Sequence, residues 1–277
     1  MKHVLLTFLL ITNGLFLSQA QDDKVKGDRN VTIKQTYVND FSQLVLNDDF
    51  EVDLVYNSKA SVEIEADDNL HEVIQFDVTN GTLNLTSGKR IVSSKKLHIT
   101  INYAMPLTYI EVNDKAELRS LTSLELGDLE LKTTGNSRTY LNVNAKRFNY
   151  NAIDKSRMRL NLSADSTSFI LSDDTKMDAL VNSKTTNFDL YQRADATIEG
   201  TAETGLFRLD NSSNFIGKNY TITDANITIE GNSDLSIMVN STLILKASGD
   251  TEIYLYGEPK ITLEKFTGTT KLQKKEL

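Results

Sequence analysis

The sequence predicts an all-β chain wound into a parallel β-solenoid of about 19 residues per coil, on three observations. Small polar triplets recur at near-constant spacing. Between them, apolar and polar residues alternate with period two. No stretch beyond the N-terminus keeps a helical period over three turns.

The triplets are Gly135-Asn136-Ser137, Asp154-Lys155-Ser156, Asp173-Asp174-Thr175, Arg193-Ala194-Asp195, Asn211-Ser212-Ser213, Gly231-Asn232-Ser233, Gly249-Asp250-Thr251 and Gly268-Thr269-Thr270. Their third positions differ by 19, 19, 20, 18, 20, 18 and 19, and a fixed period of this length marks a repeat architecture. Gly, Asn and Asp accept left-handed backbone conformations, and short polar side chains bond nearby backbone groups, so each triplet reads as a corner.

After most corners comes an alternating stretch: Leu141 and Val143, Leu160 and Leu162, Ala196 and Ile198, Leu235, Ile237 and Val239, then Ile253 and Leu255. A second stretch completes the period, with Phe148 and Tyr150, Phe169 and Leu171, Phe188 and Leu190, Phe207 and Leu209, Ile227 and Ile229, Leu243 and Leu245, then Ile261 and Leu263. Each is a strand with one buried face, so a coil reads strand, corner, strand, corner. Without a crossover helix, parallel pairing requires the chain to coil directly, stacking equivalent strands about 4.8 Å apart around a narrow interior. Pro106 and Pro259 are the two prolines; a body whose backbone donors are used by neighbouring coils has little room for more.

The segment before the regular coils is β-rich but aperiodic. Strands are expected at 41–46, 50–56, 61–66, 73–78, 82–85, 97–103 and 109–112, with a tight hairpin at Asn80-Gly81. Residues 31–112 are expected as wider coils or a capping sheet continuous with the regular coils of 113–277, because an open solenoid end exposes strand edges and apolar interior. Residues 21–30 are expected as a flexible lead and 271–277 as a polar end to the last coil.

Residues 1–20 have the layout of a cleaved secretory leader: Lys2, an apolar run from Val4 to Leu17, and Ser18-Gln19-Ala20. The run is shorter and more interrupted than the roughly 20 apolar residues of a membrane span. Export to the periplasm, outer surface or extracellular space is the expectation. The chain has no cysteine, so neither disulfides nor a lipid-modified cysteine anchor are available, and stability has to come from burial and backbone hydrogen bonds. Loss of Lys2 with the leader takes the net charge from −8 to −9, a balance that disfavours nucleic acid or an anionic lipid surface as main partner.

Phe41 to Leu46, Phe50 to Tyr56, Val62 to Ala66, Thr79 to Leu85 and Leu97 to Pro106, with the Gly-Asn-Ser and Ser-Gly-Asp corners and Ile253-Tyr254-Leu255-Tyr256-Gly257-Glu258-Pro259, resemble the bacterial putative auto-transporter adhesin family with the head GIN domain. The likeness spans about residues 31–270. It implies a right-handed solenoid in an exported envelope protein and supplies no catalytic residues. The sequence departs from that family's glycine corners at Asp154-Lys155, Asp173-Asp174 and Arg193-Ala194.

Paired carboxylates at Asp48-Asp49, Asp67-Asp68 and Asp173-Asp174 are the candidates for glycosidase or calcium-assisted lyase chemistry. All three fall at predicted turns, where Asp is expected for local bonding. His71 and His98 lack metal-ligand spacing, and no nucleophile triad, phosphate loop or calcium-binding repeat is present. No catalytic residue, metal or cofactor is therefore expected. Asn-x-Ser/Thr triplets such as those at Asn161, Asn211 and Asn226 read as corner and outer-face residues. Tyr140, Tyr150, Tyr191, Tyr254 and Tyr256 are strand residues or, if they share an outer face, platforms for sugars. Tyr254, Tyr256 and Glu252 alternate with Ile253 and Leu255 and should point outward as a binding surface. The leading expectation is a non-enzymatic, adhesin-like surface for a glycan or an envelope protein. A carbohydrate-active β-helix enzyme and a structural or signalling-linked envelope protein are the alternatives.

Overall fold

The computed structural model describes residues 24–276, so the predicted leader lies outside the described residues. The body is built from strands Arg138–Ala152, Arg157–Leu171, Lys176–Leu190, Asp195–Leu209, Asn214–Ile229 and Asp234–Gly249. Each pairs in parallel with the next along its length. The fold is the expected β-solenoid, with one correction inside the coil. Its two predicted strands are one strand that bends. In Arg138–Ala152 positions 139, 141 and 143 are buried, then 148, 150 and 152, and the alternation slips at Asn144-Ala145-Lys146-Arg147. The ladder runs on through the bend, Ala145 against Ala164 and Arg147 against Ser166. A bend that keeps its hydrogen bonds needs no tight turn. We call the stretch before the bend leg one and the stretch after it leg two.

The other corner is sharp, and one left-handed residue marks it in every coil. Asp48, Asp114, Gly135, Asp154, Asp173, Gln192, Asn211, Gly231, Gly249 and Gly268 all have φ between 57° and 103°. This file moves one predicted corner back by a residue, to Gln192-Arg193-Ala194. Ala194 is buried at the third position like Ser137, Ser156, Thr175, Ser213, Ser233 and Thr251, and the intervals around it become 19 and 19. The amides of Lys155, Asp174 and Arg193 donate to the carbonyls of Gly135, Asp154 and Asp173, one coil back, at 2.8, 2.8 and 3.0 Å. Where the left-handed residue is Asp or Asn, its side chain accepts a second bond. The N–H groups of Gly135, Asp154 and Gln192 donate to Asp154, Asp173 and Asn211 at 2.9, 3.2 and 3.2 Å. These residues tolerate the left-handed region better than other side chains, and here they also join the coils, which is how the chain dispenses with glycine at those corners.

The N-terminal segment is a capping sheet, and its strands fall close to their predicted positions. Its stacking order departs from the chain order. On leg two Gln43–Leu46 lies between Thr82–Ser87 and Tyr109–Val112, parallel to both. On leg one Glu51–Tyr56 lies between Leu97–Tyr103 and Glu117–Ser120. The coil at 43–56 is thus inserted inside the later coil at 82–103. Antiparallel strands close this end: Ser61–Asp67 on Leu97–Tyr103, Val31–Tyr37 on Ser61–Asp67, and Ile74–Thr79 on Thr82–Ser87 through the Asn80-Gly81 hairpin, both residues left-handed at 53° and 77°. The lead expected as flexible holds a short strand, Lys24–Lys26, parallel to Arg90–Ser93; backbone pairing orders what composition alone suggested was loose.

Buried residues of both legs form one continuous core. A second correction concerns its far end. Ile261 and Leu263, expected inside, are 43% and 50% exposed, and Phe266 is 40% exposed. They stay in register with Leu243, Leu245 and Ala247, but Lys260–Gly268 is the last strand on its leg and no further coil covers it among the described residues. Lys271–Lys274 closes leg one by pairing with Glu252–Tyr256.

Candidate functional site

Stacking at constant register turns every outward position of leg one into a file running along the solenoid. One file reads Glu117, Arg138, Arg157, Lys176, Asp195, Asn214, Asp234 and Glu252. Its neighbour two residues on reads Arg119, Tyr140, Arg159, Asp178, Thr197, Ile216, Ser236 and Tyr254. The third holds Asn142, Asn161, Leu180 and Glu199. Over the first coils these files enclose an open groove of about 550 Å³, lined by Arg119, Tyr140, Arg159, Asn142, Asn161 and Leu180 among others. A second hollow of about 310 Å³ adjoins it through Tyr140, Arg159 and Asp178 and adds Arg138, Arg157 and Lys176.

The groove is locally basic on an acidic chain. Across the groove and the hollow Arg119, Arg138, Arg157, Arg159 and Lys176 face outward, with Asp178 and Glu199 as the carboxylates that line them and Glu117 beside Arg119. Glu117 is the partner of Arg119 and lies 3.9 Å from Arg138. Lys176 pairs with Asp195 at 3.2 Å. Arg157 and Arg159 have no carboxylate partner among the described residues. The Tyr140 ring is flanked by the guanidinium groups of Arg119 and Arg159, 5.6 and 5.9 Å from its centroid, a packing that holds planar cations in place while leaving them hydrated.

The predicted surface at Glu252, Tyr254 and Tyr256 lies on this same leg, six coils beyond Tyr140 in the file that Tyr254 shares. All three point outward and are half-buried. They are also engaged within the chain. Tyr254 donates its hydroxyl to Glu252 at 2.7 Å, Lys271 reaches Glu252 at 2.7 Å, and Lys275 sits over the Tyr254 ring at 4.9 Å. The Lys271 and Tyr254 hydrogen bonds hold the Glu252 carboxyl below its usual range, and the same bond raises the Tyr254 hydroxyl. Of the other tyrosines, Tyr150 lies in the interior, at the inward position its alternation with Phe148 gives it, and is no outer-face platform. It is 2% exposed, bonded to Thr133 at 2.9 Å, and burial pushes its hydroxyl up to about 12.

The paired carboxylates do not converge. Asp48 and Asp173 are left-handed corner residues, Asp48 accepting from Thr86 and Ser87 at 2.9 and 2.7 Å. Asp174 pairs with Arg193 at 2.6 Å. Asp68 bonds Thr32 at 3.1 Å and pairs with Lys34 at 3.4 Å. His98 is half-buried and lies 3.0 Å from Asp53, because the strand carrying Asp53 stacks beside its own. His71 contacts Thr32 at 3.0 Å. Asp67 is fully buried and accepts backbone N–H bonds from Arg29, Lys95 and Lys96 at 3.0 to 3.2 Å, clamping the lead and the 93–96 turn to the cap. Burial pushes this carboxyl up, but those amides and the Arg29 charge outweigh it and hold it below the ordinary range. A depressed folded value means that the contribution is present above the unfolded value near 4 and is lost as pH falls through the folded one. Asp67→Asn is expected to melt below the parent at pH 7, with the gap closing as the pH is taken below about 4; a gap independent of pH would contradict this assignment.

Of the groove residues, sequence singled out Tyr140 and Asn161 but none of the cations, although a signal for those exists. Once the period is 19, Arg138, Arg157 and Lys176 stand at that interval and so do Tyr140 and Arg159.

With the geometry described, the comparisons bear on family and fold. The family model described as putative auto-transporter adhesin, head GIN domain, matches residues 40–180 and 158–259. A putative adhesin of Parabacteroides distasonis, solved by crystallography, is similar with a TM-score of 0.68 at 18% identity, over 92% of this chain and 100% of that one. One from Parabacteroides merdae has a TM-score of 0.59 at 18% identity, over 92% and 98%. A putative lipid binding protein of Parabacteroides distasonis has a TM-score of 0.57 at 13% identity, over 91% and 99%. Identities this low show the shared fold alone. No curated protein matches the chain. With both overlapping matches falling on the coiled body and its cap, the chain belongs to the putative auto-transporter adhesin, head GIN domain family.

Proposed function

We propose that the chain is an exported, non-enzymatic protein of the cell envelope or surface, and that the outer face of leg one is its binding surface. The observation that carries the reading is the open groove of about 550 Å³ together with the adjoining hollow lined by Arg138, Arg157, Arg159 and Lys176, on a hydrogen-bonded sheet where side chains keep fixed spacing without a ligand to order them. The leader-like residues 1–20 and the family support export. Against a carbohydrate-active enzyme stands the use of Asp48, Asp67, Asp173 and Asp174 in backbone bonds and ion pairs that hold the fold together.

Mature protein, produced by export of the full chain, is expected to begin at Gln21 on N-terminal sequencing and to be depleted from solution by envelope fractions without releasing new reducing ends. Cleavage of an envelope or host polysaccharide that is lost in Asp173→Asn/Asp174→Asn would overturn the non-enzymatic reading. Absence of binding to any envelope fraction would overturn the binding role.

A further inference from the structure

We infer that the leg-one groove takes an anionic polysaccharide, a chain bearing carboxylate or sulfate groups, laid across the coils with its charges on Arg157, Arg159 and Arg119. The inference rests on the proposed binding role and names the ligand class.

The argument starts from how this solenoid handles charge elsewhere. Side chains one coil apart in register are cross-strand neighbours, about 4.8 Å apart at the backbone, and like charges placed so are destabilising. Several surface cations obey this, although Asp234 lies opposite Glu252 and Lys246 opposite Lys265. Arg147 pairs with Asp128, Lys184 with Asp165 at 2.7 Å, Arg193 with Asp174 at 2.6 Å, Lys246 with Glu264 at 3.0 Å and Lys271 with Glu252 at 2.7 Å, each across one coil step. The groove departs from it. Arg138, Arg157 and Lys176 follow one another in a single file with no carboxylate between them, while Arg159 beside them stands in register with Asp178 one coil on. Such local conflicts persist where they serve a site. An anion laid over the run would remove the repulsion that the chain itself leaves in place.

Three features narrow the anion. The cations run from Arg119 to Lys176, over four successive coils, so a single small anion cannot engage them and a polymer can. Asn142 and Asn161, in register and exposed beside the arginines, present amide donors and acceptors suited to hydroxyl groups. Leu121 and Leu180, 60% and 42% exposed in the same groove, offer apolar patches to the faces of sugar rings. A nucleic acid strand is a poorer fit. Its recognition without base pairing relies on aromatic stacking, whereas Tyr140 is the one aromatic lining the groove and arginines flank it.

The test uses affinity electrophoresis and calorimetry on full-length exported protein, with polygalacturonate as carboxylate probe, dextran sulfate as sulfate probe, and neutral dextran, single-stranded DNA and anionic vesicles as comparisons. One or both anionic polysaccharides should bind, more weakly as salt is raised, and neutral dextran should not. Arg157→Glu/Arg159→Glu, on exposed side chains, should lose about tenfold or more in affinity, with an unchanged circular dichroism spectrum and melting temperature. Lys260→Glu, exposed on the other leg, should bind like the parent. The two probes decide between a carboxylate and a sulfate source. Equal binding by the arginine variant, binding of neutral dextran as tight as that of the anionic probes, or preference for DNA or vesicles would overturn the inference. If envelope fractions still retain the double variant, the ligand class is wrong and the binding role stands; if they retain neither protein, the binding role itself falls.

Discussion

Gly200→Val is expected to lower the urea midpoint far more than any surface substitution, by a loss of about 3–5 kcal/mol, at the upper end of what single changes do. Gly200 sits within Asp195–Leu209, between Val181 on one neighbouring coil and Tyr220 on the other. Its φ is +111°, and a Cβ built there overlaps the carbonyl oxygen of Val181 and lies 2.9 Å from its carbonyl carbon. The first cost is conformational, since a side chain in that region loses about 1–3 kcal/mol. The second is steric, and the obstacle is backbone held in a ladder, so relief means moving a neighbouring coil. Because each coil rests on its neighbours, a break in the middle exposes two new solenoid ends. Gly127→Ala is the control. Gly127 is exposed, and nothing lies within 4 Å of its added Cβ, so the change should stay within about 0.5 kcal/mol. Midpoints for the two variants that differ by no more than error would show that Gly200 is not required by the coil.

Gly200 also marks the limit of what the sequence discloses. Residues that set a local conformation were legible: corner residues by their chemistry, the Asn80-Gly81 hairpin by its pair, and the cap strands by alternation. What depends on which strand lies beside which was not. The pattern in 43–56 is the same whether the next coil in space is the next in sequence or, as found, a later segment slipped outside it. Alternation told that Ile261 and Leu263 face the interior side, but exposure depends on a coil above them, and none is there. Tyr150 followed the same inward parity as Phe148, and only its hydroxyl suggested an outer role. Tyr254 and its neighbours share a leg with the groove, which escaped notice because its charges come together only when residues 19 apart are read as neighbours.

Phe188→Ala is the second large effect, an expected loss of about 3–5 kcal/mol from an unfilled core position. Phe188 is 1% exposed and stands in a leg-two file between Phe169 and Phe207, with ring centroids 4.5 and 5.7 Å away and planes within 14° and 5° of parallel. From leg one of a later coil Phe215 meets it edge-on at 5.1 Å and meets Phe207 at 5.2 Å. Ala196, small and preceding Phe215 in the leg-one file, leaves room for that ring to lean back over two coils. Phe215 therefore ties leg one to two successive rungs of leg two, and removing Phe188 takes away stacking along the axis and a contact across it together. If this lock is real, Phe188→Ala and Phe215→Ala should not add. Aromatic pairs contribute about 0.5–1.5 kcal/mol beyond burial, and residues in direct contact show coupling of that order or more in a double-mutant cycle. Phe266→Ala, at 40% exposure on the last strand, should cost much less than either. Urea midpoints at unchanged slope give each term. Additivity within about 0.5 kcal/mol would mean that the two legs are held by burial and ladder bonds alone, and that the rings merely fill the space between them.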